Sequence, residues 1–181
     1  MASLWYWKVG KSMSMYKQFL INEMYELSQD EKVRFIGYNT RYGHRMYGTL
    51  NKVPKKQCIE MPLCESLMVG MAEGMSLEGF KPIVCFERQD FMLIASDQII
   101  NHLALMPKLS GDQFHFPVVI RAIVGSRNPK FDLGLQHTKD LTYIFKPYIN
   151  IISFTKKEYT NYEWDEPIII TEQKELYEKI L

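Results

Sequence analysis

The sequence predicts an α/β domain, a three-layer sandwich with a mostly parallel sheet, and three observations carry the expectation. Short apolar, β-branched runs alternate with longer stretches whose apolar residues return at helical spacing. The run Pro117-Val118-Val119-Ile120-Arg121-Ala122-Ile123-Val124 is apolar on both faces, as a strand covered on both sides must be. The turn Pro62-Leu63-Cys64-Glu65 joins one such run to a helical one. At 181 residues the chain is long enough for one full core, so residues 14–181 are read as a single domain after an N-terminal extension, residues 1–13.

In chain order, residues 14–29 read as a helix with Met15, Phe19, Leu20, Met24 and Leu27 on its stripe and Ser12 or Ser14 as cap. Residues 33–37 follow as a strand, and residues 38–56 as a polar, aromatic loop without periodicity, of the kind that contacts ligands. Residues 58–61 form a short strand that Pro62 breaks, and a helix opens at Leu63. Gly79 closes it. A strand is expected at 83–86, a buried helix over 92–106, a strand over 117–124 and a glycine-containing loop over 125–136. A short helix over 140–145, a strand over 148–154, a weak helix from Thr155 and a last strand over 167–171 complete the chain. Ligands of such a sheet sit beyond the carboxyl ends of its strands, where Glu65, residues 87–91 and residues 125–137 would meet.

Composition narrows the function. Twenty-two basic and 21 acidic residues nearly cancel, so no nucleic acid or other polyanion partner is implied. No apolar run is long enough to cross a bilayer, and no signal-peptide layout opens the chain. Cys58, Cys64 and Cys85 lack metal-ligand spacing and read as buried, reduced thiols of a cytoplasmic protein. The chain holds no Walker loop and no nucleophile elbow, and Gly70 and Gly74 fall inside a helix. His102 reads as a satisfied core histidine, whereas His137 follows a loop at the ligand edge. Position alone leaves two readings of Glu65. It is a first-turn acid favoured by the helix dipole, or a functional carboxyl kept dry by Leu63, Leu67 and Met68.

Several words of this sequence, in order and with matching spacing, resemble a known family. They are Pro62-Leu63-Cys64-Glu65, Gly70-Met71-Ala72-Glu73-Gly74, Leu77-Glu78-Gly79-Phe80-Lys81-Pro82, Asp90-Phe91, Ala95-Ser96-Asp97-Gln98-Ile99-Ile100-Asn101, Phe116 to Arg121 and Gly134-Leu135-Gln136-His137. The family is the pyrimidine-binding domain of thiamine-diphosphate enzymes, above all the N-terminal half of the β subunit of 2-oxoacid dehydrogenase E1 components, with transketolase more distant. The resemblance covers about residues 14 to 178.

What it implies is specific. In this family a glutamate hydrogen-bonds N1′ of the aminopyrimidine and so activates the cofactor, and Glu65 holds the matching position. A dry setting that raises the carboxyl pKa suits that task. Leu63, Arg88 and Phe91 fall on the pyrimidine pocket, and His137 matches a substrate-facing histidine. The sequence also departs from the pattern. Arg88 stands where the family carries a stacking aromatic, and Asn39 stands where an acid follows the first strand. The Gly-Asp-Gly motif and following asparagine that bind the diphosphate and Mg²⁺ have no counterpart, and Ser110-Gly111-Asp112-Gln113 does not supply one. No metal ligand is therefore expected in this chain. A separate subunit with the diphosphate-binding domain is implied, in a heterotetramer acting on a 2-oxo acid or ketose. Two other readings stand beside this one: a non-catalytic binding or regulatory subunit of the same fold, which Arg88 favours, and a flavodoxin-like domain with an unrelated ligand.

Overall fold

A computed structural model describes residues 13–128 and 133–177. The expected extension and the alternative cap Ser12 lie outside the described residues, apart from Met13. Helix α1, Met15–Leu27, is capped by Ser14, whose hydroxyl accepts from the Lys17 amide at 3.1 Å. Strands β1, Val33–Gly37, and β2, Cys58–Glu60, precede helix α2, Glu65–Leu77. Strand β3, Lys81–Phe86, leads into a 3₁₀ helix, Gln89–Ala95, a π-helix, Gln98–Ala104, and the short α3, Met106–Leu109. Strand β4, Val119–Val124, α4, Thr142–Phe145, β5, Asn150–Ser153, and β6, Ile168–Gln173, follow. A 3₁₀ turn over Lys174–Tyr177 ends the described chain.

All six strands are parallel, in the order β2-β1-β3-β4-β6-β5, which confirms the α/β class. Side chains alternate across the sheet with the strand period of two. Val33, Phe35, Ile83, Cys85, Val119, Ile123, Ile168 and Ile170 face one core with Leu20 and Met24 of α1. Ile36, Val84, Phe86, Ile120, Ala122 and Ile169 face the other with Met68, Val69 and Ala72 of α2. Both faces are covered at the centre of the sheet, so β3 and β4 bury nearly every residue, whereas the edge strands β2 and β5 do not.

Three expectations about local structure are corrected. The helix expected over 92–106 keeps its inward stripe, Met92, Ala95, Ile99 and Leu103, but its backbone changes from 3₁₀ to π to α. Pro107 has no N–H to offer the Leu103 carbonyl, so an α ladder cannot run on through it. The weak helix expected from Thr155 is a set of turns. There the Glu158 carboxylate takes the Thr155 and Lys156 amides, both at 2.8 Å, and Glu23 takes those of Tyr159 and Thr160 at 3.1 and 3.0 Å. Side-chain acceptors have displaced the helical ladder. Helix α2 begins at Glu65 rather than Leu63, which stands 72 % exposed ahead of it.

Three single-residue expectations also change. Met15, expected on the apolar stripe, is the first residue of α1 and stands 59 % exposed. His102 is partly exposed and pairs through Nδ1 with Glu73 Oε2 at 3.4 Å, so it is no core histidine. Cys58 and Cys85 are buried, but Cys64 is exposed because it caps α2 at the surface. Among the described residues no helix is long and apolar enough to cross a membrane.

Candidate active site

One cavity of about 530 Å³ opens at the carboxyl ends of β1, β2 and β3. That volume lies within the usual range for small-molecule sites. Of the five residues singled out from the sequence, the fold brings all five to its wall: Leu63, Glu65, Arg88, Phe91 and His137. Tyr38, Tyr47, Met68, Glu87, Ile94 and Leu133 complete most of the lining.

Pro62 and the Cys64 cap turn the chain from β2 into α2 and set Glu65 at the first helical position. The carboxylate is favoured there by the helix dipole. Glu65 is only 8 % exposed, and no hydrogen bond or ion pair reaches its side chain among the described residues. Its dryness differs in origin from the sequence expectation. Leu63 and Leu67 are exposed, and Met68 and the 3₁₀ residues Phe91 and Ile94 share the cavity wall with it instead. The Ser66 hydroxyl fastens that segment by donating to the Ile94 carbonyl at 2.8 Å.

His137 reaches the cavity from the loop after β4. Its ring stands edge-on to Phe91, with centroids 5.4 Å apart, and its buried Nδ1 has no hydrogen-bond partner among the described residues. Gly125 makes this placement possible, since a Cβ there would overlap the His137 carbonyl. Residues 129–132 of that loop lie outside the described residues.

The polar wall comes from the loop over residues 38–56, which periodicity could not resolve. Three successive residues, Arg45, Met46 and Tyr47, are left-handed, with φ of 47°, 50° and 55°. Such strain costs about 1–3 kcal/mol per residue. It is offset by Arg45, whose guanidinium donates to the carbonyls of Thr40, Asn51 and Val53 at 3.2, 3.2 and 2.8 Å. Burial of Met46 inside the core adds to this. Glu60 anchors the loop start by accepting the amides of Asn39, Arg41 and Tyr42. The acid that the family places near residue 39 is absent, yet a carboxylate still organises this turn.

The loop swings Tyr47 into the cavity. Arg88, 4 % exposed, lays its guanidinium 5.3 Å from the Tyr47 ring centroid and donates from Nη1 to the Glu87 carbonyl at 2.6 Å. His44 stacks on the same Tyr47 ring at 4.4 Å, accepts the Tyr47 amide at Nδ1 and presents Nε2 to Glu87 at 3.0 Å. Burial raises the Tyr47 phenol pKa, with Arg88 opposing. The cavity-lining Cys85 thiol is pushed up to about 12 by burial and stays protonated.

The site is thus a cavity beyond the strand ends of a parallel sheet with a carboxylate at a helix start, and the comparisons say to which family the chain belongs. Residues 14–178 match the family model "Transketolase, pyrimidine binding domain". The chain belongs to that family. It is 32 % identical over 138 residues to the pyruvate dehydrogenase E1 component subunit beta of Cyanidium caldarium, covering 71 % of this chain and 40 % of the relative. The beta-3 chloroplastic subunit of Arabidopsis thaliana is 29 % identical, over 67 % of this chain and 30 % of the relative. The chain thus spans less than half the length of these relatives. Among solved structures, one titled as a split gene transketolase, inactive beta4 tetramer, has a TM-score of 0.65 at 15 % identity, over 91 % of this chain and 52 % of that one. Benzoylformate decarboxylase from Polynucleobacter necessarius has a TM-score of 0.62 at 16 % identity, over 93 % of this chain and 32 % of that one. These two likenesses speak for the fold.

Proposed function

We propose that this chain supplies the pyrimidine-binding half of a thiamine-diphosphate site in a 2-oxoacid dehydrogenase or transketolase-like enzyme. One observation carries the reading: a buried carboxylate, Glu65, faces a ligand-sized cavity and has no protein partner among the described residues. Buried polar groups are ordinarily satisfied, so an unspent acceptor in a dry cavity fits a ligand that brings its own donor.

The residues present fit an aminopyrimidine ring. Glu65 would hold or share a proton at N1′. Leu63 and Phe91 offer apolar contact, Arg88 a planar cation, and His137 an orphan ring nitrogen for a substrate proton or carboxylate. The bound cofactor supplies a carbanion-stabilising centre for cleaving a 2-oxo acid or ketose. The diphosphate and its Mg²⁺ belong, on this proposal, to a separate subunit that docks over the cavity mouth, where Leu63, Ile94 and Leu133 are exposed. Two copies of each subunit would form a heterotetramer. Three unpaired thiols suit the reducing cytoplasm.

A second reading, a non-catalytic subunit that keeps the fold, is favoured by Arg88 at a position where an aromatic is expected. Calorimetry with thiamine diphosphate and Mg²⁺, with and without the partner subunit, separates the two. A catalytic pair binds the cofactor and exchanges its C2 proton in D₂O, and Glu65→Gln abolishes the exchange. A pair that forms but binds no cofactor overturns the catalytic reading.

A further inference from the structure

Tyr47 carries an unusual set of neighbours. The Arg88 carbon Cζ lies 5.3 Å from its ring centroid and the Lys174 ammonium 4.1 Å from it, while His44 stacks at 4.4 Å. Cations gather over an aromatic face because the ring quadrupole is negative there. Lysine and histidine need no cavity for this, but Arg88 and Tyr47 both line the one that holds Glu65. The three-residue left-handed turn and the histidine stack keep the ring in one place.

What the Arg88 guanidinium offers the cavity follows from the charges around it. Arg88 is the one arginine or lysine among the described lining residues, beside two acidic ones, Glu65 and Glu87. That composition does not favour an anionic ligand. A planar cation backed by a ring and bordered by Phe91 and Leu63 instead suits the face of a flat, uncharged heterocycle. We propose that Tyr47 is a positioning residue of this site, holding the Arg88 guanidinium flat as the stacking surface for the aminopyrimidine ring. This rests on the pyrimidine-site reading and adds to it a residue and a reason why arginine serves where an aromatic would be expected. Tyr47 acts through Arg88, so its own contact with ligand is secondary.

The test uses the full chain and the aminopyrimidine fragment of thiamine, 4-amino-5-hydroxymethyl-2-methylpyrimidine, as probe. NMR follows the Arg88 Nε–H, which the Tyr47 ring current shifts, and titration gives the fragment affinity. The shift is expected in the wild type and in Tyr47→Phe, and lost in Tyr47→Leu. Tyr47→Leu is expected to weaken fragment binding about tenfold, the upper part of the cation–π range. In an Arg88→Phe background, where the stacking surface is a ring of its own, Tyr47→Leu should cost less than about twofold. Equal losses in both backgrounds would make Tyr47 merely structural and overturn the proposal. So would fragment binding that leaves the Arg88 signal unmoved. A wild-type chain that shows the ring-current shift yet binds no fragment, alone or with its partner subunit, sinks the pyrimidine-site reading, and the stacking role falls with it while the Tyr47–Arg88 pair stands.

Discussion

Two clusters of charge lie in this domain, one under α1 and one at the strand ends, and they are built in opposite ways. Beneath α1, Arg121 meets Glu172 through Nε and Nη2 at 2.6 and 2.9 Å, with both side chains wholly buried. Tyr159 donates to the same carboxylate at 2.5 Å, Tyr177 donates to it as well, and Thr49 takes a bond from Arg121 at 2.8 Å. The strand pairing Arg121↔Ile170 places Glu172 two residues along on the same face, so register alone brings the ions together. Burial and this carboxylate push Tyr159 and Tyr177 well above the usual phenol range, so both remain donors. In the cavity, by contrast, Glu65 and the His137 Nδ1 have no hydrogen-bond partner among the described residues. Arg121 Nη1 also lacks one, but the charge it belongs to is paired with Glu172. A charge paired within the chain serves the fold, and one left unpaired is available to a ligand.

That contrast can be broken at either end, and the largest effect is expected in the cavity. Glu65→Gln should lower C2-proton exchange in the assembled enzyme by up to about 10⁴-fold. Its urea midpoint should move little, because no bond within the chain is lost. A marked loss of stability would place Glu65 with the structural cluster instead. Next comes Arg121→Leu, which strands a buried carboxylate and should cost about 3–5 kcal/mol in urea unfolding. A cost under 1 kcal/mol would mean that the network is not what holds β4 against β6.

Gly125→Ala joins the two regions, because it leaves both clusters chemically intact while forcing the His137 backbone away. About 1–3 kcal/mol of destabilisation is expected, with loss of the Phe91–His137 ring contact in the NMR spectrum. The smallest effect belongs to Glu73, whose pKa burial raises, with His102 opposing. An acid with a raised folded-state pKa binds its proton more tightly when folded, so stability falls as pH climbs from about 4.5 through that value. Glu73→Gln should flatten this stretch of the stability-pH curve and add at most about 1 kcal/mol at pH 7. An unchanged curve would show that the His102 pairing fully offsets the burial.

The cavity was legible in part because its chemistry lies in short words. Pro62-Leu63-Cys64-Glu65 encodes a strand end, a turn and a helix start, and that local sequence already dictates where the carboxylate stands. Phe91 and His137 could be placed at the ligand edge from the strand order expected of the fold, but only the resemblance gave them roles, since nothing local separates them from core or surface residues. Tyr47 gave no signal. Its loop has no apolar period, and its left-handed turn depends on Arg45 reaching carbonyls five to eight residues away. Glu172 was equally silent, because it is an acid inside a strand whose partner lies 51 residues back.

Alternating apolar runs, with their spacing and their turn residues, determined by themselves that this chain forms a parallel α/β sheet and where Glu65 sits in its helix. The tertiary structure decided which charges are spent and which remain available. It buried Glu172 on Arg121, turned His102 out to Glu73, and set Met68 with Glu65 in one cavity wall while Leu63 stayed exposed. The physical reason is one of range. Backbone hydrogen bonding and apolar periodicity act over a few residues, whereas desolvation and charge pairing depend on what strand order brings alongside.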